Sequence, residues 1–126
     1  MNVCIIQGRI TRPPEQRVAG DGRTLVTYEV AVERAEGSAE SVPVVWEGAP
    51  AVAVDLDVDA EVVVVGRVRR RWFRSGGATQ SRTEVVADGV VPRRSTKRVA
   101  KLVADALTAV DSAVSTPPRR ASPTRG

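Results

Sequence analysis

The segment from Glu61 to Val90 constrains the fold more than any other part of the chain. It opens Glu-Val-Val-Val-Val-Gly-Arg-Val-Arg-Arg-Arg-Trp-Phe-Arg, breaks at Ser75-Gly76-Gly77, and resumes in a run that ends Thr-Glu-Val-Val-Ala-Asp-Gly-Val. Four consecutive valines are poor helix formers, because branching at Cβ stiffens χ1, and they pack well on a pleated surface. The serine and two glycines supply the permissive backbone that a hairpin needs. Two long strands are therefore expected, Glu61 to Arg74 and Gln80 to Val91. Beyond Gly66 the first of them turns basic. Side chains alternate faces along a strand, so Arg67, Arg69, Arg71 and Phe73 share one face while Val68, Arg70 and Trp72 share the other. A basic strand ending in aromatics suits a nucleic-acid strand, guanidinium for phosphate and rings for bases. The same arginines would also guard an exposed strand against edge-to-edge association.

The rest of the chain reads as shorter strands and one helix. Asn2 to Ile10 is a first strand, ended by Thr11-Arg12-Pro13-Pro14, where two prolines interrupt regular pairing. Ala19-Gly20-Asp21-Gly22 is a turn. In Thr24 to Val32, Leu25, Thr27 and Glu29 alternate with Val26, Tyr28, Val30 and Val32, which makes a second strand. Ala35 to Ser41 is a small, acidic loop. Val42 to Trp46 is a third strand, in which Pro43 suggests an edge or a bulge. Ala49 to Asp59 reads as a short helix. After Ser95-Thr96, the residues Val99, Leu102, Val103, Ala106, Leu107, Val110 and Val114 follow the spacing of an amphipathic helix. Ser95 or Thr96 can cap it, and Pro117-Pro118 stops it. Five strands with a helical segment between the third and fourth, then a separate helix, predict an all-β domain: a five-stranded OB-fold barrel with an additional C-terminal α-helix. The expected organisation is an OB-fold domain over 1–92, the helix over 93–115 and a disordered basic tail over 116–126.

The chain has no histidine and one cysteine. Zinc sites, disulfide frameworks and Ser/His/Asp or Cys/His catalysis have no residues to be built from. The carboxylates form no recognisable acid/base pair, so neither an enzyme nor a cofactor is expected. Cys4, within Val3-Cys4-Ile5-Ile6, reads as a small buried hydrophobe. There is no basic patch leading into a long apolar core at the N-terminus. No window approaches the roughly 20 apolar residues of a membrane span. A cytoplasmic protein is the expectation. The net charge of +4 divides into +6 over residues 91–126 and −2 over residues 1–90. Any nucleic-acid field must therefore come from local arginine clustering and the C-terminal segment.

Several landmarks stand in a familiar order: Asn2-Val3; Gly8-Arg9-Ile10-Thr11-Arg12-Pro13-Pro14-Glu15-Gln16-Arg17; Leu25 to Val32; Val62 to Phe73; and Thr83-Glu84-Val85-Val86-Ala87-Asp88. Over roughly residues 1 to 92 the chain resembles the bacterial single-stranded DNA-binding protein family. The resemblance implies binding of single-stranded DNA without strong sequence preference, usually by a homotetramer of OB-folds, in DNA replication, repair or recombination. It puts Trp46 and Phe73 at aromatic positions that contact bases, and Arg69 and Arg71 at outward basic positions. Arg12, Arg67, Trp72 and Arg74 complete the expected contacts, while Tyr28 matches an aromatic of the core.

The departures are as specific. Ala35-Glu36-Gly37 and Glu40-Ser41 stand where the family offers aromatics. Asp55-Leu56-Asp57-Val58-Asp59 replaces a basic turn, and the chain ends Arg119-Arg120-Ala121-Ser122-Pro123-Thr124-Arg125-Gly126 rather than on an acidic tip that recruits replication proteins. They point to a secondary or divergent member. The alternative is an OB-fold structural or assembly module with weakened or lost DNA binding; a single-stranded RNA partner would use the same surface physics. Two surfaces need cover. Val62 to Val65 put valines on both faces of their strand, which calls for a neighbouring subunit, and the helix stripe must bury against the barrel or such a neighbour.

Overall fold

The computed structural model describes residues 1–116. Its elements are β1 (Cys4–Ile10), β2 (Glu15–Val18), β3 (Thr24–Val32), β4 (Glu40–Glu47), a single 3₁₀ turn at Ala51–Val54, β5 (Glu61–Ser75), β6 (Ala78–Pro92) and α1 (Thr96–Ser115). The chain is mostly strand with a C-terminal helix. The part of the expected basic tail beyond Thr116 lies outside the described residues.

Alternation decides what goes inside. On β3, Val26, Tyr28 and Val30 are buried, and Leu25, Thr27 and Glu29 lie half-exposed on the other face. Ile10, Val44, Val62, Val64, Val85, Ala87 and Val90 join the buried set to form the core. The five strands that supply them follow one another round a ring, β1 to β5 to β6 to β4 to β3 and back to β1. The ring closes unevenly. Antiparallel β5 and β6 pair along their whole length, whereas β4 meets β6 in parallel only at Val44↔Val85 and Val45↔Val86. β1 meets β3 only at Arg9↔Ala31 and Ile10↔Val30.

Six strands are present rather than the five expected. The prolines at 13 and 14 interrupt pairing without ending it: Glu15 to Val18 resume against Thr27 to Thr24 of β3. The chain thus leaves β5, turns at Arg12-Pro13-Pro14 and continues along β3, so that β1 and β2 act as two limbs of one bent strand. Pro43 lies at no bulge but on a stretch of β4 paired on one side only, a local edge. It sits opposite Glu29, and the short ladder to β6 begins one residue later, so the missing N–H costs no bond there. The expected helix of Ala49 to Asp59 is reduced to its 3₁₀ turn, where alternating alanine and valine give little helical amphipathicity. That turn covers one end of the ring: the Tyr28 hydroxyl donates to the Ala53 carbonyl at 2.8 Å, and burial pushes its pKa well above that of a free phenol. Tyr28→Phe leaves that buried carbonyl unpaired and should lower stability by about 1–2 kcal/mol, readable in a urea titration.

The outer-face valines have a cover within the chain. Val63, Val65 and Val91 are buried although they stand outside the core cluster. They share a face with Gly89, since Val63 pairs with Val91 and Val65 with Gly89. Helix α1 lies against β5 and β6, and a Cβ placed on Gly89 would stand 2.8 Å from a methyl of Leu102. The expectation that another subunit must cover these valines is therefore corrected. Of the two covers open to the helix stripe, it takes the barrel: it packs on its own sheet through Leu102 and buried Ala106, leaving Leu107 53% exposed. Cys4 is half-buried against the core. No helix among the described residues is long and apolar enough to cross a membrane.

Candidate nucleic-acid interface

Pairing partners run out along the β5–β6 hairpin. β1 accompanies β5 only as far as Gly66, and β4 accompanies β6 only at Val85 and Val86. From Arg69 to Ser75 and from Ala78 to Glu84 the two strands pair with each other alone, which makes a two-stranded arm. The side chain of Asn2 finishes the β1 side of its base. Its Nδ2 donates to the Val68 carbonyl at 2.7 Å, and its Oδ1 accepts from the Val68 N–H at 2.9 Å. The tip turns at Gly76 and Gly77, both at positive φ (59° and 80°), the conformation that makes glycine necessary there. Arg74 donates from Nη2 to the Gly77 carbonyl at 3.1 Å.

Each face of the arm carries an arginine over an aromatic ring. The Arg70 guanidinium lies 5.7 Å from the Trp72 ring centroid, and that of Arg71 lies 5.3 Å from Phe73. Such pairs hold a ring in place while leaving its other side open. Trp72 is 63% exposed and is the only exposed aromatic among the described residues. Phe73 is half-exposed.

The Phe73 face continues onto the outside of β6, β4 and β3 as a cleft of roughly 430 Å³. Arg12, Arg17, Arg69, Arg71 and Arg82 line it, but so do Glu15, Glu29, Glu47 and Glu84. The charges are largely paired. Arg69 donates from Nε and Nη2 to Glu84 at 3.2 and 2.6 Å, and from Nη1 to Glu47 at 3.0 Å. The Glu84 hydrogen bond, aided by that of Glu47, raises the Arg69 pKa against the opposing effect of burial. Arg71 stands 3.5 Å from Glu84, and Arg82 3.6 Å from Glu29. Arg12, Arg17, Arg67 and Arg70 enter no ion pair among the described residues.

The structure does not gather all eight expected contacts in one place. Arg69, Arg71, Phe73 and, across the cleft, Arg12 lie on one side, with exposed Arg67 nearer the base of the same strand face. Trp72 and Arg74 alternate to the other face of the arm. Trp46 is elsewhere: it is on the core-facing side of β4, opposite buried Val26, and packs half-buried against the core. Alternation along β4 could have shown this, since Val42, Val44 and Trp46 share one parity. The cleft residues that sequence reasoning passed over are Arg17, Arg82, Glu29, Glu47 and Glu84. Glu84 stood in plain view inside Thr83-Glu84-Val85-Val86, but its link to Arg69 follows from the hairpin register, which pairs the two directly.

With this geometry of an arginine-lined strand face and a projecting basic-aromatic arm, residues 1–92 match the model of the single-strand binding protein family. The chain belongs to that family. The family is one of non-enzymatic proteins that bind single-stranded DNA, and membership implies an OB-fold for the ring of strands. The match ends at Pro92, the last residue of β6, so α1 lies beyond the family region. No curated protein matches the chain.

Proposed function

We propose that this chain binds single-stranded DNA along the β5–β6 arm and the adjoining cleft, without strong sequence preference and without chemistry, and that it protects the strand during replication, repair or recombination in a bacterial cytoplasm. Family membership supports the class of ligand. The observation that carries the site is the arm itself, with Arg70 over Trp72 on one face and Arg71 over Phe73 on the other. An aromatic ring backed by a guanidinium presents one open side to a base and a cation to the adjacent phosphate, and stacking contributes about 1–3 kcal/mol per base. Arg12, Arg67 and Arg70 are the proposed phosphate contacts, joined by Arg17 at the cleft. Assembly into a homo-oligomer, a tetramer in the family precedent, is part of the proposal.

Titration with oligo-dT, followed by tryptophan fluorescence at low and high salt, tests the reading. Quenching with an affinity that falls steeply with salt is the expected result. No quenching and no shift in mobility at low salt would instead favour a module that kept the fold and lost DNA binding. The observation on that side is the run of carboxylates, Glu29, Glu47 and Glu84, along the cleft.

Two variants separate binding from folding. Trp72→Ala should weaken oligo-dT binding by about 1–3 kcal/mol and leave the melting temperature nearly unchanged, because its ring is exposed. Trp46→Ala should do the opposite. It removes a large side chain packed against the core and should destabilise by about 2–4 kcal/mol, with affinity preserved in the folded fraction. Isothermal binding and thermal melts on both variants check the split.

A further inference from the structure

Glu84 is the one buried charged side chain among the described residues, 6% exposed, and it faces the proposed DNA surface rather than the core. It occupies two donors of Arg69 and stands beside Arg71, while Glu47 takes a third donor of Arg69 and reaches Arg23 at 3.6 Å. A guanidinium presents its donors in one planar fork that fits carboxylate and phosphate alike. Donors committed to Glu84 and Glu47 are therefore withheld from a phosphate. The two carboxylates differ in reach: the Glu47 side chain is 21% exposed and that of Glu84 only 7%. Glu47 is the one an incoming anion meets first.

We propose that Glu47 and Glu84 act as built-in counter-anions of this face, holding Arg69 against the protein so that a nucleic-acid phosphate takes its committed donors only by displacing a carboxylate, while Arg71, 3.5 Å from Glu84 through Nε alone, is neutralised by it in part. This rests on the single-stranded DNA reading given above. Its thermodynamic consequence is specific. Salt dependence arises from cations condensed on the nucleic acid that are released when an arginine neutralises a phosphate, and a carboxylate set free in the same step takes up a cation and offsets that release. The wild-type salt slope then reports mainly the arginines of the arm and cleft without carboxylate partners among the described residues, Arg12, Arg17, Arg67, Arg70 and Arg74. Glu47 and Glu84 are positioning residues that keep affinity below what the number of arginines allows.

The test is the slope of log K against log salt for oligo-dT, measured on the full chain for wild type, Glu47→Gln and Glu36→Gln. Glu36 lies on the exposed loop between β3 and β4 and enters no ion pair among the described residues, so its replacement makes the same change in net charge away from the cleft. Glu47→Gln should steepen the slope by about 0.7 for each further phosphate that an arginine neutralises, and raise affinity roughly three- to tenfold at low salt, while Glu36→Gln matches wild type in slope. Glu84→Gln disturbs a buried ion pair and is compared only if its melting curve overlays that of wild type; Glu47→Gln decides in either case. Equal slopes for Glu47→Gln and Glu36→Gln, with wild type binding normally, overturn the counter-anion role and leave the DNA-binding reading standing. Failure of all three proteins to bind removes both together. Binding by Glu47→Gln where wild type and Glu36→Gln show none would support the proposal in its strongest form.

Discussion

Leu102→Asp should release helix α1 from the sheet and lower stability by about 3 kcal/mol, whereas Leu107→Asp on the same apolar stripe should change little. The structure separates two residues that helical periodicity treats alike. Leu102 is half-buried with its methyls over Gly89, and Leu107 is 53% exposed. Removing a buried leucine side chain costs about 2–5 kcal/mol. Leu102 is not fully buried, which lowers that figure, but a carboxylate set against Val63, Val65 and Val91 adds its own desolvation. A loss of this size corresponds to a drop in melting temperature of about 4 °C per kcal/mol in a chain of this length. Undocked, the helix loses the tertiary packing of its apolar face that supplies most helical stability in proteins, so it should fray. Amide exchange reports this directly: slow from Val99 to Val110 in the wild type and in Leu107→Asp, fast in Leu102→Asp. Fast exchange in the wild type would mean that the helix does not dock, and the outer valines would then need another cover.

Gly66→Ala should cost roughly 3 kcal/mol or more, although a valine-rich strand looks tolerant of one more methyl. A Cβ on Gly66 would lie 2.1 Å from the Val86 carbonyl oxygen and 2.8 Å from its carbonyl carbon, which are backbone atoms that no rotamer change can move. The crowding has a local cause. The β5–β6 register shifts at this point, Val65 pairing with Gly89 and Gly66 with Ala87, so that Asp88 is left over as a bulge. Bulges increase local twist and bend the strand that carries them, and here the bend comes just before the arm leaves the ring. Gly20→Ala is the control, since nothing lies within 4 Å of its added Cβ. A chemical melt in which the two variants denature together would show that the backbone relaxes at Gly66 at no cost.

Much of the fold is legible in the residues. Alternation places strand β3 at its observed ends, and the hairpin turn at Gly76-Gly77 and the helix from Thr96 follow from turn chemistry and period. The family is legible too, from motifs spread over residues 1–92. Other features depend on partners that a linear pattern does not name. Strand β2 exists because β3 has an edge to offer after Pro14, and Glu15 to Val18 have no strong periodicity of their own. Trp46 looks like a binding aromatic by its place at a strand end, while the parity of β4 turns it toward the core.

Local pattern is enough to establish which segments are strands, which residues alternate inward, and that a basic strand ends in two aromatics, because those properties repeat at a period of two or 3.6. What the arginines of that strand face is a property of the folded chain alone. The register of a hairpin and the neighbour across a ring set Arg69 against Glu84 and Glu47, and Leu102 against Gly89. Those contacts join residues far apart in the chain, and their strength comes from burial, which no window of sequence contains.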